Sequence, residues 1–256
     1  MTKKTYFISD LHFGIPTREE SKVREQLFVD WLEYVKNDAD AIYIMGDLFD
    51  FWFEYKHVVP KGYITVFNKF IELDKLGIKL HLFKGNHDLW LFRYLEEEFN
   101  IALYRKPEIV TINDKVFFLA HGDGLGPGDR GYKLLRRIFE SKFNQKAYSL
   151  LPADLAFAIA NYFSKKSRIS KQNKPEHKKV DNLKTEELQQ YKYAKQISEQ
   201  NPEIDYFVFG HLHKPRQINL NDKTTLTFVG DWLEHFSYAV FDGENLELKA
   251  FNKNNT

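Results

Sequence analysis

The stretch Ile42–Trp52 reads IYIMGDLFDFW and decides the fold. Its first four residues form a short apolar run that ends at Gly46, a pattern typical of a buried strand running into a tight turn. Asp47 follows the glycine directly, and Asp50 comes soon after it. Open α/β sheets place their chemistry at the carboxyl ends of such strands. Taken alone, Asp47 is better explained as the cap of a turn or helix. Evidence from the rest of the chain is needed to assign it a functional role.

Length and composition limit the possible classes of protein. The chain has 256 residues, 43% of them hydrophobic, which is enough for one large α/β domain or one domain with an insertion. It has no cysteine, so disulfides and thiolate metal ligands are excluded, and His, Asp, Glu, Asn or the backbone would have to hold any metal. The start, MTKKTYFISD, lacks the apolar region of a secretory signal, and no run approaches the ~18 apolar residues of a spanning helix. We therefore expect a cytoplasmic protein, with peripheral attachment to a membrane left open.

The charge is distributed unevenly. The net charge is +1, yet the segment Arg130–Lys179 carries 13 Lys and Arg against 3 Asp and Glu, a local charge of +10 that leaves −9 for the rest. Such a block favours an anionic partner, for example phosphate, nucleic acid or a lipid surface. The alternative is a solvated face, but the block also carries many Phe, Leu and Tyr residues, which argues against that explanation.

The first hundred residues predict strands that alternate with helices. The expected strands are Thr5–Ile8, the run from Ile42, and Ile78–Phe83; the expected helices are Glu19–Lys36, Tyr63–Leu76 and Trp90–Glu98. In the first helix, the spacing puts four apolar residues on one face: Val23, Leu27, Trp31 and Val35. This order is typical of a parallel sheet covered by helices.

The pattern changes after Asn100. A hairpin is expected around Asn113-Asp114, followed by helices at Tyr132–Phe143 and Leu151–Phe163. The polar, basic stretch Ser164–Lys179 is expected to be a loop or a mobile segment. Another helix is expected at Thr185–Gln200. Strands are then expected at Tyr206–Phe209, Ile218–Leu220, Leu226–Val229, Phe236–Phe241 and Leu246–Phe251.

Five polar clusters follow strand-like runs. They are Asp10-x-His12, Gly46-Asp47-x-x-Asp50, Gly85-Asn86-His87-Asp88, His121-Gly122-Asp123 and Gly210-His211-x-His213. Residues two apart in an extended segment face the same side, so each Asp-x-His or His-x-His pair is expected to point at one place. Glycines before Asp47, Asn86 and His211 allow tight turns and close backbone approach.

These side chains have the chemistry of metal ligands. His, Asp and Asn offer the N and O donors that suit Mn, Fe, Zn or Ni, and one bridging carboxylate can hold two ions about 3.5–4 Å apart. Each cluster alone has an ordinary explanation, such as a turn or a hydrogen-bonded core histidine. Five clusters in this order, all at strand ends, are hard to explain in that way.

The ordered motifs DxH, GDxxD, GNHD, a later His and GHxH span Asp10–His213, and they resemble those of the calcineurin-like metallophosphoesterase superfamily. The resemblance implies an α/β protein with a β-sandwich flanked by helices and a two-metal site. By matching position, one ion would be held by Asp10, His12, Asp47 and His213. The other would be held by Asp47, Asn86, His121 and His211, with Asp47 bridging.

The resemblance also implies catalytic roles. The reaction would be metal-assisted hydrolysis at phosphorus, with Asp47, Asn86 and His87 as the catalytic residues. His87 would lie beside the phosphate and assist the leaving group. Asn86 and His211 would also contact the substrate, whereas Asp50 and Asp88 would orient the ligands.

The segments GDLFDFW, HGDGLGPGDRGY, GHLHKP and GDW, with the basic-aromatic insertion, look like those of the UDP-2,3-diacylglucosamine hydrolases of lipid A synthesis. Those enzymes cleave the pyrophosphate of a diacylated UDP-sugar, are peripheral to the inner membrane and usually use Mn. The resemblance implies one domain, 1–256, with a helical lid insertion at about 125–180. The lid would bind acyl chains with Tyr132–Phe163 and polar groups with these residues: Asp129, Lys165, Lys166, Arg168 and Lys171. The alternative is that these helices are a capping lid with its own small core.

One departure concerns the substrate. Many members of that hydrolase family have Arg where this chain has His87, which leaves another nucleotide diphosphate or a phosphodiester open as substrate. A nuclease is less favoured because the basic block is also strongly apolar. A non-catalytic binding module on the same scaffold is the other alternative, but no ligand position is lost. No protein partner can be inferred.

Overall fold

The computed structural model describes residues 3–173 and 185–252, and the side chains of residues 165 and 167–173 lie outside that description. The chain divides into two compact units. The first combines Met1–Asp123 with Ser198–Thr256, and the second is Gly124–Ile197. No helix of the described part is long and apolar enough to cross a membrane.

The first unit is built on two β-sheets. Its strands are β1 (Lys4–Ile8), β2 (Ala39–Ile44), β3 (Lys79–Phe83), β4 (Ala102–Tyr104), β5 (Glu108–Ile112), β6 (Lys115–Ala120), β7 (Tyr206–Phe209), β8 (Arg216–Asn219), β9 (Thr225–Phe228), β10 (Ser237–Phe241) and β11 (Leu246–Ala250). The helices in the same unit are α1 (Arg18–Val35), α2 (Ile64–Lys75) and α3 (Tyr94–Phe99). This is the predicted α/β class with two sheets and flanking helices.

The first sheet has the strand order β11-β10-β1-β2-β3-β4. The pairs β1–β2, β2–β3 and β3–β4 are parallel, as the alternating strand and helix pattern predicts, while β10 and β11 close the other side in antiparallel fashion. The sequence pattern missed β4 because a strand of three residues is too short to show a period.

The second sheet has the order β5-β6-β7-β9-β8, and its central strands β6, β7 and β9 are parallel. The predicted hairpin joins β5 to β6. Asn113 and Asp114 take φ values of 46° and 65°. Two successive left-handed residues make the type of turn that matches the twist of a hairpin, and Asn and Asp tolerate this conformation best.

The side chains of the first sheet alternate between its two faces and contribute to two separate cores, one against the helices and one against the second sheet. Tyr6 and Ile8 of β1 point to the helices, while Phe7 points to the second sheet. Phe7 is fully buried, and its ring lies 5.3 Å from that of Tyr43 and 5.6 Å from that of Phe117. Because side chains of a strand alternate between faces, one sheet can line both cores at once.

Helix α1 begins at Arg18 with Thr17 as its cap, since the Thr17 hydroxyl accepts a hydrogen bond from Glu20 N at 3.2 Å. The prediction that Val23 lies on the buried face was wrong, because this side chain is 73% exposed. The buried positions near the start of the helix are polar instead and include Ser21 and Arg24. A pattern based on apolar residues alone therefore misplaces the buried face of α1 near its N-terminus.

Several predicted helix bounds also need correction. The helix expected at Trp90–Glu98 is Tyr94–Phe99, and Thr185–Gln200 is a 3-10 turn at Thr185–Glu187 followed by α7 (Gln189–Gln200). Tyr132–Phe143 is two helices, α4 (Arg130–Glu140) and α5 (Lys142–Tyr148), separated by the extended Ser141.

The loop predicted at Ser164–Lys179 is wrong over its first part. Helix α6 runs over Ala153–Asn173, because Lys, Arg and Gln favour helices even where no apolar stripe is present. Residues 174–179 lie outside the described residues.

The core between the sheets makes a testable prediction. Replacing Phe7→Ala removes a fully buried ring and should lower the free energy of unfolding by about 3–5 kcal/mol. Val23→Ala on the exposed side of α1 should change it by less than about 0.5 kcal/mol. Denaturant unfolding measures both values, and equal effects would contradict the assignment of the two faces.

Candidate metal centre

The predicted metal ligands come together at one edge of the two sheets. Asp10 and His12 follow β1, Asp47 follows β2, and Asn86 follows β3 in the first sheet. His121 follows β6, and His211 and His213 follow β7 in the second sheet. Parallel strands place their carboxyl ends at the same edge of a sheet, so residues that follow different strands come together although they are far apart in sequence. The whole cluster belongs to the first unit.

The local backbone differs from the expectation. Asp10 and His12 have φ values of 54° and 45°, Asp47 has 52°, and His211 and His213 have 64° and 60°. All of these residues are left-handed, so the extended backbone predicted for the pairs Asp10-x-His12 and His211-x-His213 was wrong. The side chains after β1, β2 and β7 converge because these three strands end in left-handed turns. Such backbone costs free energy in non-glycine residues and is concentrated at functional sites.

The loops after β1 and β2 are joined by their backbones. His12 N donates to Asp47 O at 2.9 Å, and Phe13 N donates to Leu48 O at 3.0 Å. Asp10 N likewise donates to the carbonyl of the glycine before Asp47, at 3.1 Å. This ladder extends the strand pairing beyond the strands and fixes the two loops relative to each other.

Glycines allow the loops to approach closely, as expected. A Cβ atom at Gly85 would overlap the Asp47 carboxylate, and one at Gly210 would overlap the Ser9 hydroxyl. Any other residue at these two positions would push the candidate ligands apart.

The first candidate metal group contains Asp10, His12 and His213, whose ligand atoms all lie within 4.8 Å of one another. His213 Nε2 is 3.2 Å from Asp10 Oδ1, and the Nε2 atoms of His12 and His213 are 3.4 Å apart. His12 Nε2 also lies 3.6 Å from Asp47 Oδ2, so Asp47 borders this group.

The second group contains Asp47, His121 and His211, again within 4.8 Å of one another. His121 Nε2 lies 3.4 Å from Asp47 Oδ2 and 3.3 Å from Asn86 Oδ1. Asp47 Oδ2 is therefore close to histidines of both groups, which is the position that a bridging ligand needs.

The histidine rings are oriented by their other nitrogens. His121 Nδ1 lies 2.8 Å from Met45 O, and His213 Nδ1 lies 3.2 Å from Asp231 Oδ2. A carbonyl only accepts a hydrogen bond, so His121 Nδ1 carries a proton and Nε2 is the nitrogen that faces Asp47 and Asn86. Metal-binding histidines in proteins are held in the same way.

A buried carboxylate oxygen supports the same interpretation. Asp10 Oδ2 accepts hydrogen bonds from Ser9 Oγ at 2.6 Å and from His211 N at 2.8 Å. Asp10 Oδ1 is buried and accepts no hydrogen bond from the residues that the structure describes. A buried acceptor beside imidazole Nε2 atoms is well suited to a divalent cation, and the donor set of imidazole, carboxylate and amide oxygen fits one.

The electrostatics of the metal-free protein also indicate a cation site. Burial alone would lower the pKa of His12, but the neighbouring carboxylates of Asp10, Asp50 and Asp47 raise it to about 9. The pKa of His213 is raised to about 10, because Asp10 and Asp231 outweigh burial. Burial would raise the pKa of Asp47, but His121, His87 and His12 hold it well below its usual range. Protons therefore take the place of cations here, and a bound metal would displace them.

Not every histidine of the cluster behaves in this way. Burial, together with the charge of His121, lowers the pKa of His211 to about 4. Burial also lowers the pKa of His87, against the opposing charge of Asp47. His211 is therefore neutral and His87 mostly so at neutral pH in the metal-free protein.

Asp50 and Asp88 connect the loops that carry the candidate ligands. Asp50 lies between two histidines, with its Oδ1 3.4 Å from both His12 Nδ1 and His87 Nδ1. Asp88 accepts hydrogen bonds from Leu48 N at 2.9 Å and Gly85 N at 2.7 Å. Burial and the nearby charge of Asp47 raise the pKa of Asp88 to about 7.

Sequence reasoning missed Asp231. It follows β9, whose parallel pairing with β7 brings its carboxyl end to the same edge as the histidines. Besides His213, its carboxylate accepts hydrogen bonds from Glu234 N at 3.1 Å and His235 N at 3.0 Å. The signal was present, because Gly230-Asp231 repeats the pattern of a glycine and a carboxylate after a strand.

The predicted substrate residues of the insertion belong to the second unit. Asp129 is the residue before helix α4 and has a φ of 45°. Lys166 is exposed, with its Nζ 5.9 Å from the centre of the Tyr162 ring. The side chains of Lys165, Arg168 and Lys171 lie outside the described residues. Their roles stay predictions.

The contact between Asp231 and His213 makes a prediction about metal binding. Replacing Asp231→Asn removes the charge behind the imidazole but keeps an oxygen acceptor, so the fold should survive. Metal affinity at the first group should fall about 10–100-fold, because the ring loses basicity and orientation. Calorimetric titration of the metal-free protein measures this. An affinity equal to that of the wild type would show that Asp231 does not support a ligand.

Comparison with known proteins agrees with this geometry. Residues 3–215 match the family model described as Calcineurin-like phosphoesterase. The chain is 35% identical over 98% of both chains to a UDP-2,3-diacylglucosamine hydrolase of Porphyromonas gingivalis. It is 28% identical to one of Haemophilus influenzae, over 96% of this chain and 98% of that one.

Among solved structures, the phosphoesterase Yfce from E. coli aligns with a TM-score of 0.46 and 16% identity, covering 96% of this chain and 92% of that one. The length of the family match and the near full-length relatives identify the class of the protein. The chain belongs to the calcineurin-like phosphoesterase family and is a hydrolase.

Proposed function

We propose that the protein cleaves the pyrophosphate bond of UDP-2,3-diacylglucosamine to give UMP and 2,3-diacylglucosamine 1-phosphate in lipid A biosynthesis. The observation that carries this assignment is the 35% identity, over 98% of both chains, to the Porphyromonas gingivalis hydrolase of that name. The strand-end cluster of carboxylates and histidines supports the chemistry, since it offers the ligands for charge stabilisation at phosphorus.

Two divalent ions are the proposed cofactors, with Mn as the first choice and Fe, Zn or Ni as alternatives. Asp10, His12, Asp47 and His213 would hold one ion. Asp47, Asn86, His121 and His211 would hold the other, with Asp47 shared. Bound there, the ions would supply positive charge for the phosphoryl oxygens and lower the pKa of a bound water.

The side chain of His87 is set up to exchange a proton. Its Nδ1 lies 3.0 Å from Asp50 O, so this nitrogen carries a hydrogen and donates it to the carbonyl. Nε2 is therefore the atom at which His87 exchanges a proton with a phosphate or leaving-group oxygen. The backbone N–H of the same residue donates to Asp47 Oδ1 at 2.8 Å, which ties its position to the shared carboxylate.

The second unit is proposed as the helical lid insertion, about 125–180, in a single metallophosphoesterase domain of 1–256. Its helices, and the turn between α5 and α6, expose large apolar side chains, which support a role in binding acyl chains. They are Leu134, Leu135, Ile138, Phe139, Phe143, Leu150, Leu155, Tyr162 and Phe163. Asp129, Lys165, Lys166, Arg168 and Lys171 are proposed to contact the polar part of the substrate, together with Asn86, His87 and His211.

The same exposed side chains support a peripheral position on the inner membrane, on the cytoplasmic side. Phe143 and Leu150 are each 80% exposed, and the segment that contains them is strongly basic. Apolar side chains within a basic segment favour an anionic lipid surface over a purely aqueous one. Nucleic acid is the less favoured partner for the same reason.

One observation favours a second candidate. His87 stands where the resemblance leads us to expect Arg in many of the hydrolases, so the second candidate is hydrolysis of another nucleotide diphosphate or a phosphodiester. The metal chemistry would be the same for both candidates.

The proposal is tested by Mn-supported hydrolysis of UDP-2,3-diacylglucosamine, with UMP release followed beside that from a de-acylated UDP-sugar. We expect strong preference for the acylated substrate. Asp47→Ala should abolish turnover of it, because both proposed ion sites lose their shared ligand. Asp40→Ala, which removes an exposed carboxylate after the start of β2, should leave the rate unchanged.

Two results would contradict parts of the proposal. Equal or absent activity on the acylated substrate, with turnover of simple phosphodiesters, would favour the second candidate. Full activity of Asp47→Ala would overturn the shared-ligand mechanism itself.

A further inference from the structure

We propose that Arg24 is a positioning residue for the candidate metal ligands Asp10 and His12. The proposal rests on the two-ion site of the proposed function. Arg24 lies on α1 and is not among the residues that the motifs single out. It acts through the backbone of the loop that carries the ligands and makes no contact with the phosphoryl group in this account.

The contacts of Arg24 are made with one loop. Its side chain is buried, and the residue is 8% exposed. Nε donates to Leu11 O at 2.8 Å, while Nη2 donates to His12 O at 2.8 Å and to Ile15 O at 2.6 Å. All three acceptors are backbone carbonyls of the segment between β1 and α1, and none is a carboxylate.

A second side chain of α1 holds the same loop. The Ser21 hydroxyl accepts a hydrogen bond from Gly14 N at 2.7 Å and donates one to Glu25 Oε1 at 2.7 Å. Ser21 is fully buried as well. The polar start of the buried face of α1 therefore serves as a template for the loop, which explains why an apolar pattern failed there.

This loop carries the ligands in a conformation that needs support. Asp10 and His12 flank Leu11, and both are left-handed. His12 N also donates to Asp47 O at 2.9 Å, so a shift of the loop would be passed to the shared carboxylate. Ligand geometry must hold within a fraction of an ångström for tight binding, and displaced carbonyls would release the loop.

The guanidinium has the shape for this task. Its planar fork reaches three carbonyls at once, whereas a lysine ammonium is a point charge that cannot span them in the same way. Burying a charge costs free energy, and an apolar side chain of similar size often packs as well or better. We therefore expect Arg24→Met to fold but to lose the control of the loop.

The test is calorimetric titration of the metal-free full chain with Mn²⁺. The wild type should bind two ions. His12→Ala and His121→Ala identify which ion belongs to which end of the site. In Arg24→Met, the ion at the Asp10–His12 end should bind about 10-fold or more weakly, while the ion at the His121–His211 end changes little. Arg24→Lys should give an intermediate loss, and it is the variant to use if Arg24→Met does not fold.

Leu32→Ala is the matched control, because it removes a fully buried side chain of the same helix that makes no hydrogen bond to the loop. Thermal unfolding should show it to be destabilised, with both affinities kept. The proposal is overturned if the Arg24 variants bind both ions like the wild type, or if Leu32→Ala weakens the same ion equally. A wild type that binds fewer than two ions would instead refute the two-ion site, and the present proposal with it.

Discussion

The carboxylate of Asp47 is the point on which the rest of the structure depends. It is 1% exposed and lies between histidines from both sheets, His12 and His121. Asp10 places a second buried carboxylate beside the same histidines. Two negative charges buried together are costly unless positive charge joins them. These buried carboxylates therefore need positive charge beside them. Protonated histidines supply it in the metal-free protein, and metal ions would supply it once bound.

The arrangement of the strands brings the other candidate ligands to Asp47, although they are far apart in the sequence. Parallel strands in both sheets end at the same edge, and the core between the sheets holds them in place through the stacked rings of Phe7, Tyr43 and Phe117. A carboxylate, amide or imidazole placed one to four residues after each of β1, β2, β3, β6 and β7 then reaches a common centre. Backbone hydrogen bonds join the loops after β1 and β2 and hold the two loops in one conformation relative to each other.

Much of this could be predicted from the sequence, because short apolar runs that end in Asp, Asn or His carry the information locally. The ligand candidates, the parallel sheet and the hairpin at Asn113-Asp114 were found in that way. The left-handed turns could not be predicted, since Asp10 and His12 read equally well as an extended pair. Asp231 was missed because a single Gly-Asp pair after a strand is weak evidence for a ligand by itself. Arg24 was missed because a polar residue on the buried face of a helix breaks the apolar pattern used to find that face.

Whether two metal ions share Asp47 can be seen by anomalous diffraction from crystals grown with Mn²⁺. We expect two anomalous peaks, one on each side of the Asp47 carboxylate. One peak should lie beside His12 and His213, and the other beside His121 and His211. A single peak, or peaks away from Asp47, would contradict the account.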